Sequence, residues 1–235
     1  MAWSRGDFPF DNVLGKFQVR NILEHAVPGR LLDLGCNRGE LLREILVSGK
    51  FKSAVGIDCD EDKIKQALRV EVLGAPTTYI CSRIEDTNFL DTVKFDTITL
   101  VNVLEHVEEP VKVLSHVRRW LSAKGRTIIQ VPNARGFNRM LGVQMGLIDS
   151  IYQMSEVDYS VGHRRFYTAD SLKDHCERAG LQVIAEGGLM FKPFSNRQMA
   201  LIEQWDNAEA IFEGLHRLAK EFPEHSSPLY VVCTR

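Results

Sequence analysis

Nowhere does this chain hold the roughly 18 uninterrupted apolar residues that a membrane-crossing helix requires, so no membrane span is expected. Its first residues, Met1-Ala2-Trp3-Ser4-Arg5-Gly6-Asp7, lack the basic patch and following apolar run of a secretory signal, and a cytoplasmic location is the simplest expectation. Paired cysteines are missing too. The five present, Cys36, Cys59, Cys81, Cys176 and Cys233, are odd in number and never spaced C-x-x-C. That argues against a disulfide scaffold or a zinc ribbon and for buried thiols in a reducing compartment. Nor is there an excess of positive charge. Lys and Arg total 29 against 31 Asp and Glu, a net charge of −2, so no overall field draws in a long nucleic acid and the expected partner is a small molecule. With no internal repeat, low-complexity tract or linker, the 235 residues read as one domain: 1–29 carry an N-terminal helix and 134–162 form a lid or acceptor-shaping insertion.

What is present is a rhythm. From about residue 30, apolar runs alternate with amphipathic stretches, which is how a parallel sheet covered by helices is written in sequence. Strands are expected at 30–34, 53–58, 78–81, 95–101 and 126–131, and again at 181–185 and 229–233. Helices are expected over 10–25, after Gly39, from Asp60 to about Val72, from Pro110 to Leu121, from an N-cap at Thr168 to Gly180, and over 198–222. The fold class that follows is α/β: a Rossmann-like, doubly wound, mostly parallel seven-stranded sheet with helices on both faces and an insertion after the fifth strand.

Chemistry concentrates where strands end. Leu31-Leu32-Asp33-Leu34-Gly35-Cys36-Asn37-Arg38-Gly39 places glycines at a sharp strand-to-helix turn, with a helix N-terminus just beyond. The G-x-G-x-x-G order of a dinucleotide loop is absent, which counts against a nicotinamide dehydrogenase, and the acid ahead of the first glycine suits a cationic ligand. Asp58 closes the second strand about 20 residues later, the spacing at which a carboxylate reaches the hydroxyls of an adenosine ribose. Taken alone, the turn serves chain reversal and Asp58 serves a helix dipole. Asp96, in the fourth strand, is assigned a structural role.

Together these residues resemble the class I S-adenosylmethionine-dependent methyltransferases over nearly the whole chain. The resemblance implies that Asp33, Gly35, Asn37 and Gly39, with Asn37 standing at the usual middle glycine, cradle S-adenosylmethionine and its product S-adenosylhomocysteine. It further implies that Asp58 holds the ribose, that Ile84 and Glu85 lie at the adenine, and that Cys59 and Asn102 also contact the cofactor. Glu105-His106 resembles the pair found in type 11 and type 12 methyltransferases, including ubiquinone-biosynthesis O-methyltransferases and small-RNA 2′-O-methyltransferases, where Glu-x-x-Glu-His and a later histidine hold a divalent metal. Here Asn102 replaces the first acid, and His163 in Gly162-His163-Arg164-Arg165 is the later histidine; a site of Glu105, His106 and His163 with Asn102 would bind a divalent metal only weakly, and no metal is assigned. His106 and His163 are the expected catalytic residues, with His106 first choice as general base. Glu105, Arg164 and Arg165 are expected at the acceptor, and Arg135, Arg139, Lys192 and Arg197 at the same rim. The expected function is methyl transfer to an O or N atom of a small or medium polar, anionic acceptor such as a glycoconjugate, nucleotide-sugar or secondary metabolite. The rivals are a metal-assisted RNA 2′-O-methyltransferase and a nonenzymatic regulatory subunit that keeps the cofactor site.

Overall fold

The computed structural model describes residues 10–87 and 92–235; the opening segment read above for a signal lies outside them. In chain order the elements are α1 (Asp11–His25), β1 (Gly29–Leu34), α2 (Glu40–Leu46), β2 (Phe51–Asp58), α3 (Glu61–Leu68), β3 (Thr77–Cys81), β4 (Phe95–Val101), α4 (Pro110–Trp120), β5 (Leu121–Val131), α5 (Phe137–Gln144), α6 (Glu156–Ser160), α7 (Ala169–Arg178), β6 (Gln182–Gly188), α8 (Asn196–Leu201), α9 (Ala208–Glu221) and β7 (Leu229–Thr234). The strands form one sheet in the order β3-β2-β1-β4-β5-β7-β6. All neighbours are parallel except β7, which runs antiparallel to both β5 and β6. This is the Rossmann-like seven-stranded sheet expected from the alternation.

Strand period explains the two-sided core. Successive side chains of β1 point to opposite faces, so Leu31 packs with Ile22, Leu42 and Ile45 of α1 and α2 on one side. Leu32 and Leu34 pack with Val113, Val117 and Trp120 of α4 and Leu172 and Cys176 of α7 on the other. These side chains are almost wholly removed from solvent. Full burial of each large apolar group contributes about 1.5–3 kcal/mol before chain entropy is set against it.

Two expectations are corrected. The fifth strand begins at Leu121, five residues before Arg126, because Phe95 pairs with Leu121 and Thr97 with Arg126; the Lys124-Gly125 turn is a bulge inside the strand. Asp96 clasps that bulge, accepting from the Arg30 backbone N–H at 2.9 Å and from Ser122 Oγ at 2.9 Å. The single helix expected over 198–222 is two, α8 and α9, separated at an extended Trp205. Asp206 and Asn207 follow it, residues whose short polar side chains compete with helical backbone bonding. The insertion after β5 is also more regular than its composition implied, carrying α5 and a short α6 whose Ser155 and Asp158 form a capping box. Among the described residues no helix is long and apolar enough to cross a membrane.

Candidate active site

The carboxyl ends of β1, β2 and β4 lie side by side, since Leu34 pairs with Ile57 and with Leu100. In an open α/β sheet this edge is where ligands bind. At the end of β1 the chain reverses through Gly35 (φ 73°), Asn37 (φ 52°) and Gly39 (φ 73°), all left-handed. A Cβ on Gly35 would stand 2.5 Å from Val103 Cγ2, and one on Gly39 2.3 Å from the Tyr79 hydroxyl, so both positions need glycine for space as well as for φ. Asn37 fills the middle position because asparagine is among the few side chains that tolerate the left-handed region. Its backbone N–H donates to Asp58 Oδ2 at 2.8 Å, while Asp58 Oδ1 accepts from the Asp60 N–H at 3.0 Å. The turn and the end of β2 are thereby locked together, with the remaining carboxylate lone pairs available to a ligand's hydroxyls.

The other residues expected at the cofactor fall around this edge. Asp33 is 1% exposed, beneath the turn, and accepts from Thr99 Oγ1 at 2.7 Å; it is placed to fix the turn from below. Cys59 follows Asp58 at the surface. Its thiol is pushed up by burial, with the neighbouring Asp58 carboxylate adding to the effect, so it stays protonated. Ile84 is buried in a short 3-10 turn, and Glu85 beside it pairs loosely with Arg83 at 3.6 Å. Asn102 leaves β4 at φ 53°, its N–H bonded to the Gln130 carbonyl at 2.9 Å. Tyr79 was not singled out from sequence, yet its ring covers both Gly39 and Gly56. The only signal was an aromatic residue opposite a strand glycine.

One loop further on, the structure brings together residues 57 positions apart. Glu105, His106 and His163 each present a ligand atom within 4.8 Å of the others, and the two imidazole rings meet edge to face with centroids 4.8 Å apart. Glu105 is wholly buried, and neither carboxylate oxygen has a hydrogen-bond partner among the described residues. Burial raises its pKa to about 8, against the opposing pull of its own backbone and of Arg165. His106 is half-buried and its pKa is lowered, first by desolvation and then by His163, so its ring is an acceptor near neutral pH. His163 Nδ1 lies 3.2 Å from Asp158 Oδ1. Asp158 is held at about 2 because His163 and the Ser155 cap stabilise its charge against burial. Asp158 gave no signal in sequence beyond its capping pattern.

Arg164 and Arg165 part company. Arg164 is exposed, and its backbone N–H donates to the Glu105 carbonyl at 2.8 Å. The Arg165 guanidinium turns inward and donates to the carbonyls of Leu104, Val107 and Glu108; it holds the 104–108 loop, a use different from the expected anion clamp. Tyr167, buried beneath, donates to the Leu104 carbonyl at 3.3 Å. The loop that carries Glu105 and His106 is therefore fixed from two sides.

Comparison with known proteins gives this geometry a context. Residues 12–186 match the family model described as a methyltransferase domain. The ubiquinone biosynthesis O-methyltransferase of Nitrobacter winogradskyi is 27% identical over 171 residues, covering 72% of this chain and 62% of that protein; the chain thus spans less than two thirds of that relative. The same-named enzyme of Idiomarina loihiensis is 27% identical over 178 residues, 74% of this chain and 70% of its own. Among solved structures, a SAM dependent methyltransferase from Archaeoglobus fulgidus superposes with a TM-score of 0.61 at 17% identity, covering 95% of this chain and 93% of that one.

Proposed function

The chain belongs to the family of S-adenosylmethionine-dependent methyltransferases, and we propose that it methylates an oxygen atom of a small or medium-sized polar acceptor. The observation that carries this reading is the adjacency, on one sheet edge, of the Gly35-to-Gly39 turn locked to Asp58 and the Glu105–His106–His163 cluster. Oxygen is preferred over nitrogen because the curated relatives are named O-methyltransferases.

Methyl transfer from a sulfonium is an in-line displacement in which the carbon–sulfur bond breaks as the carbon–oxygen bond forms. The protein must align the two partners, exclude water and remove the hydroxyl proton. In this reading the turn of 35–39 holds the amino-acid end of the cofactor, Asp58 the ribose, and Ile84 with Glu85 the adenine. His106, neutral near pH 7 by its depressed pKa, takes the acceptor's proton. His163, oriented by Asp158, positions the hydroxyl. As an alternative, the donor set fits a divalent cation that would displace the Glu105 carboxyl proton, since one carboxylate oxygen and two imidazole nitrogens lie within 4.8 Å of one another and the Glu105 oxygens have no hydrogen-bond partner among the described residues. Glu105, His106 and His163 would hold it, and it would supply Lewis-acid activation of the hydroxyl.

The test is calorimetric titration with S-adenosylmethionine and S-adenosylhomocysteine on wild type and Asp58→Ala. It is followed by transfer of labelled methyl to a panel of hydroxylated small molecules, with chelator and then with Mg²⁺ or Mn²⁺ restored. Binding that Asp58→Ala weakens at least tenfold, and label in an ether product, are expected. Wild-type protein that is folded yet binds neither nucleoside would overturn the assignment.

A further inference from the structure

The insertion after β5 does more than border the site: we propose that Asp158 of α6 is a positioning residue, fixing His163 with its proton on Nδ1 and a bare Nε2 turned to Glu105 and His106. The proposal rests on reading the Glu105–His106–His163 cluster as the methyl-transfer centre, and it assigns the hydrogen-bonding role of one member to a helix outside the sheet.

Why Asp158 meets His163 follows from how α6 is closed. The five-residue helix is tied to Asp158 at both ends. At its start the Ser155 N–H and Oγ donate to Asp158 Oδ2 at 2.8 and 2.7 Å, and Ser155 Oγ accepts from the Asp158 N–H at 3.2 Å, the reciprocal capping box. At its end Gly162 turns through a left-handed φ of 82°. The Gly162 N–H then donates to the Tyr159 carbonyl at 3.0 Å and the His163 N–H to the Asp158 carbonyl at 2.9 Å, the paired bonds with which a glycine-stopped helix closes. His163 is thereby held against Asp158, and its Nδ1 lies 3.2 Å from Asp158 Oδ1. No other hydrogen-bond partner reaches that buried nitrogen among the described residues, so the nitrogen left to the cluster is Nε2. The same turn touches the second histidine, since a Cβ on Gly162 would stand 3.8 Å from His106 Nδ1. Earlier in the insertion, the Arg139 guanidinium lies 3.8 Å from the Phe166 ring centroid and donates to the Ile151 and Gln153 carbonyls. The Phe166 ring in turn meets His163 edge-on with centroids 5.9 Å apart. Arg139 therefore braces the insertion beside His163, a use different from the expected place at the acceptor rim.

Against the upward push of burial, His163 and the Ser155 cap hold the Asp158 pKa at about 2, so near neutral pH its oxygens only accept. The imidazole nitrogen that faces them must donate, which places the proton of neutral His163 on Nδ1 and leaves the lone pair on Nε2. That lone pair is what the cluster can use: it accepts an O–H from the methyl acceptor or binds a divalent cation, and a protonated Nε2 could do neither. Packing offers α6 little else. No residue of the helix is buried, and Val157 and Tyr159 are 54% and 67% exposed, so apolar burial contributes little to keeping it formed.

The experiment reads both ring nitrogens of His163 by two-bond proton–nitrogen correlation NMR. It uses protein with isotope-labelled histidine, saturated with S-adenosylhomocysteine, at about pH 8.5, where an ordinary imidazole is neutral. His163→Gln assigns the signal. Wild type is expected to carry the proton on Nδ1. Asp158→Asn should move it to Nε2, because the one amide oxygen stays with the Ser155 cap and the NH₂ donates to Nδ1, the tautomer error that an Asp-to-Asn change makes beside a catalytic histidine. Ser155→Ala loosens α6 but leaves the carboxylate in place, and it should keep the proton on Nδ1. Affinity for S-adenosylhomocysteine should stay within twofold in both variants. A wild-type proton on Nε2, an unmoved proton in Asp158→Asn, or a reversal by Ser155→Ala as complete as that by Asp158→Asn overturns the proposal. Wild-type protein that fails to bind S-adenosylhomocysteine overturns the methyltransferase reading instead. The wild-type spectrum needs no variant, so misfolding of Asp158→Asn leaves the proposal decided.

Discussion

Glu105 makes a quantitative prediction about stability. It is fully buried, its carboxylate oxygens lack hydrogen-bond partners among the described residues, and its pKa stands at about 8 instead of the ordinary 4.5. A carboxyl whose folded pKa is raised keeps its proton in the native state over a range where the unfolded chain has released it. Its contribution to stability is therefore complete below the unfolded value and is lost as pH rises toward the folded one. Across the window from 4.5 to about 8 the loss reaches at most about 1.4 kcal/mol per pH unit, which amounts to several kcal/mol in total. Glu105→Gln keeps the shape and removes the charge, so it removes this slope. In urea unfolding with chelator present, the two proteins should be nearly equal at pH 5. At pH 8 the Gln variant should be more stable by about 3–5 kcal/mol, with an unchanged m-value. Adding Mn²⁺ at pH 8 should then stabilise wild type by mass action and Glu105→Gln much less. Parallel stability profiles for the two proteins between pH 5 and 8 would refute the argument that this carboxyl is buried without a compensating partner.

Other positions give simpler expectations. Gly35→Ala places a Cβ 2.5 Å from Val103 Cγ2 at a φ of 73°. It should cost about 1–3 kcal/mol in denaturant midpoint and weaken S-adenosylhomocysteine in calorimetry. Thr99→Val removes the 2.7 Å donor to buried Asp33; a loss of about 1–3 kcal/mol is expected in urea unfolding, together with weaker cofactor binding as the turn loses its support. Arg165→Ala releases the three carbonyls of the 104–108 loop and should lower stability by about 2–4 kcal/mol. It should also push the Glu105 pKa higher, because Arg165 is the cation that now lowers it; carboxyl-carbon NMR titration reads that shift. An Arg165→Ala protein of unchanged stability that has lost only acceptor affinity would show that the guanidinium binds substrate directly.

The parts of this molecule that could be read in advance are those governed by local periodicity. Strands β1 to β4 could be placed to within about two residues because a strand buried on both faces shows as a short apolar run, and the turn after β1 because glycine and asparagine mark left-handed backbone. What sequence obscured was decided by tertiary partners. Arg164 and Arg165 are adjacent and identical in chemistry, yet one faces solvent and the other is drawn inward by three carbonyls of a loop 57 to 61 residues earlier in the chain. The meeting of Glu105, His106 and His163 is likewise a product of the fold, because the backbone bond from the Arg164 N–H to the Glu105 carbonyl brings a segment 57 positions later in the chain against the loop after β4.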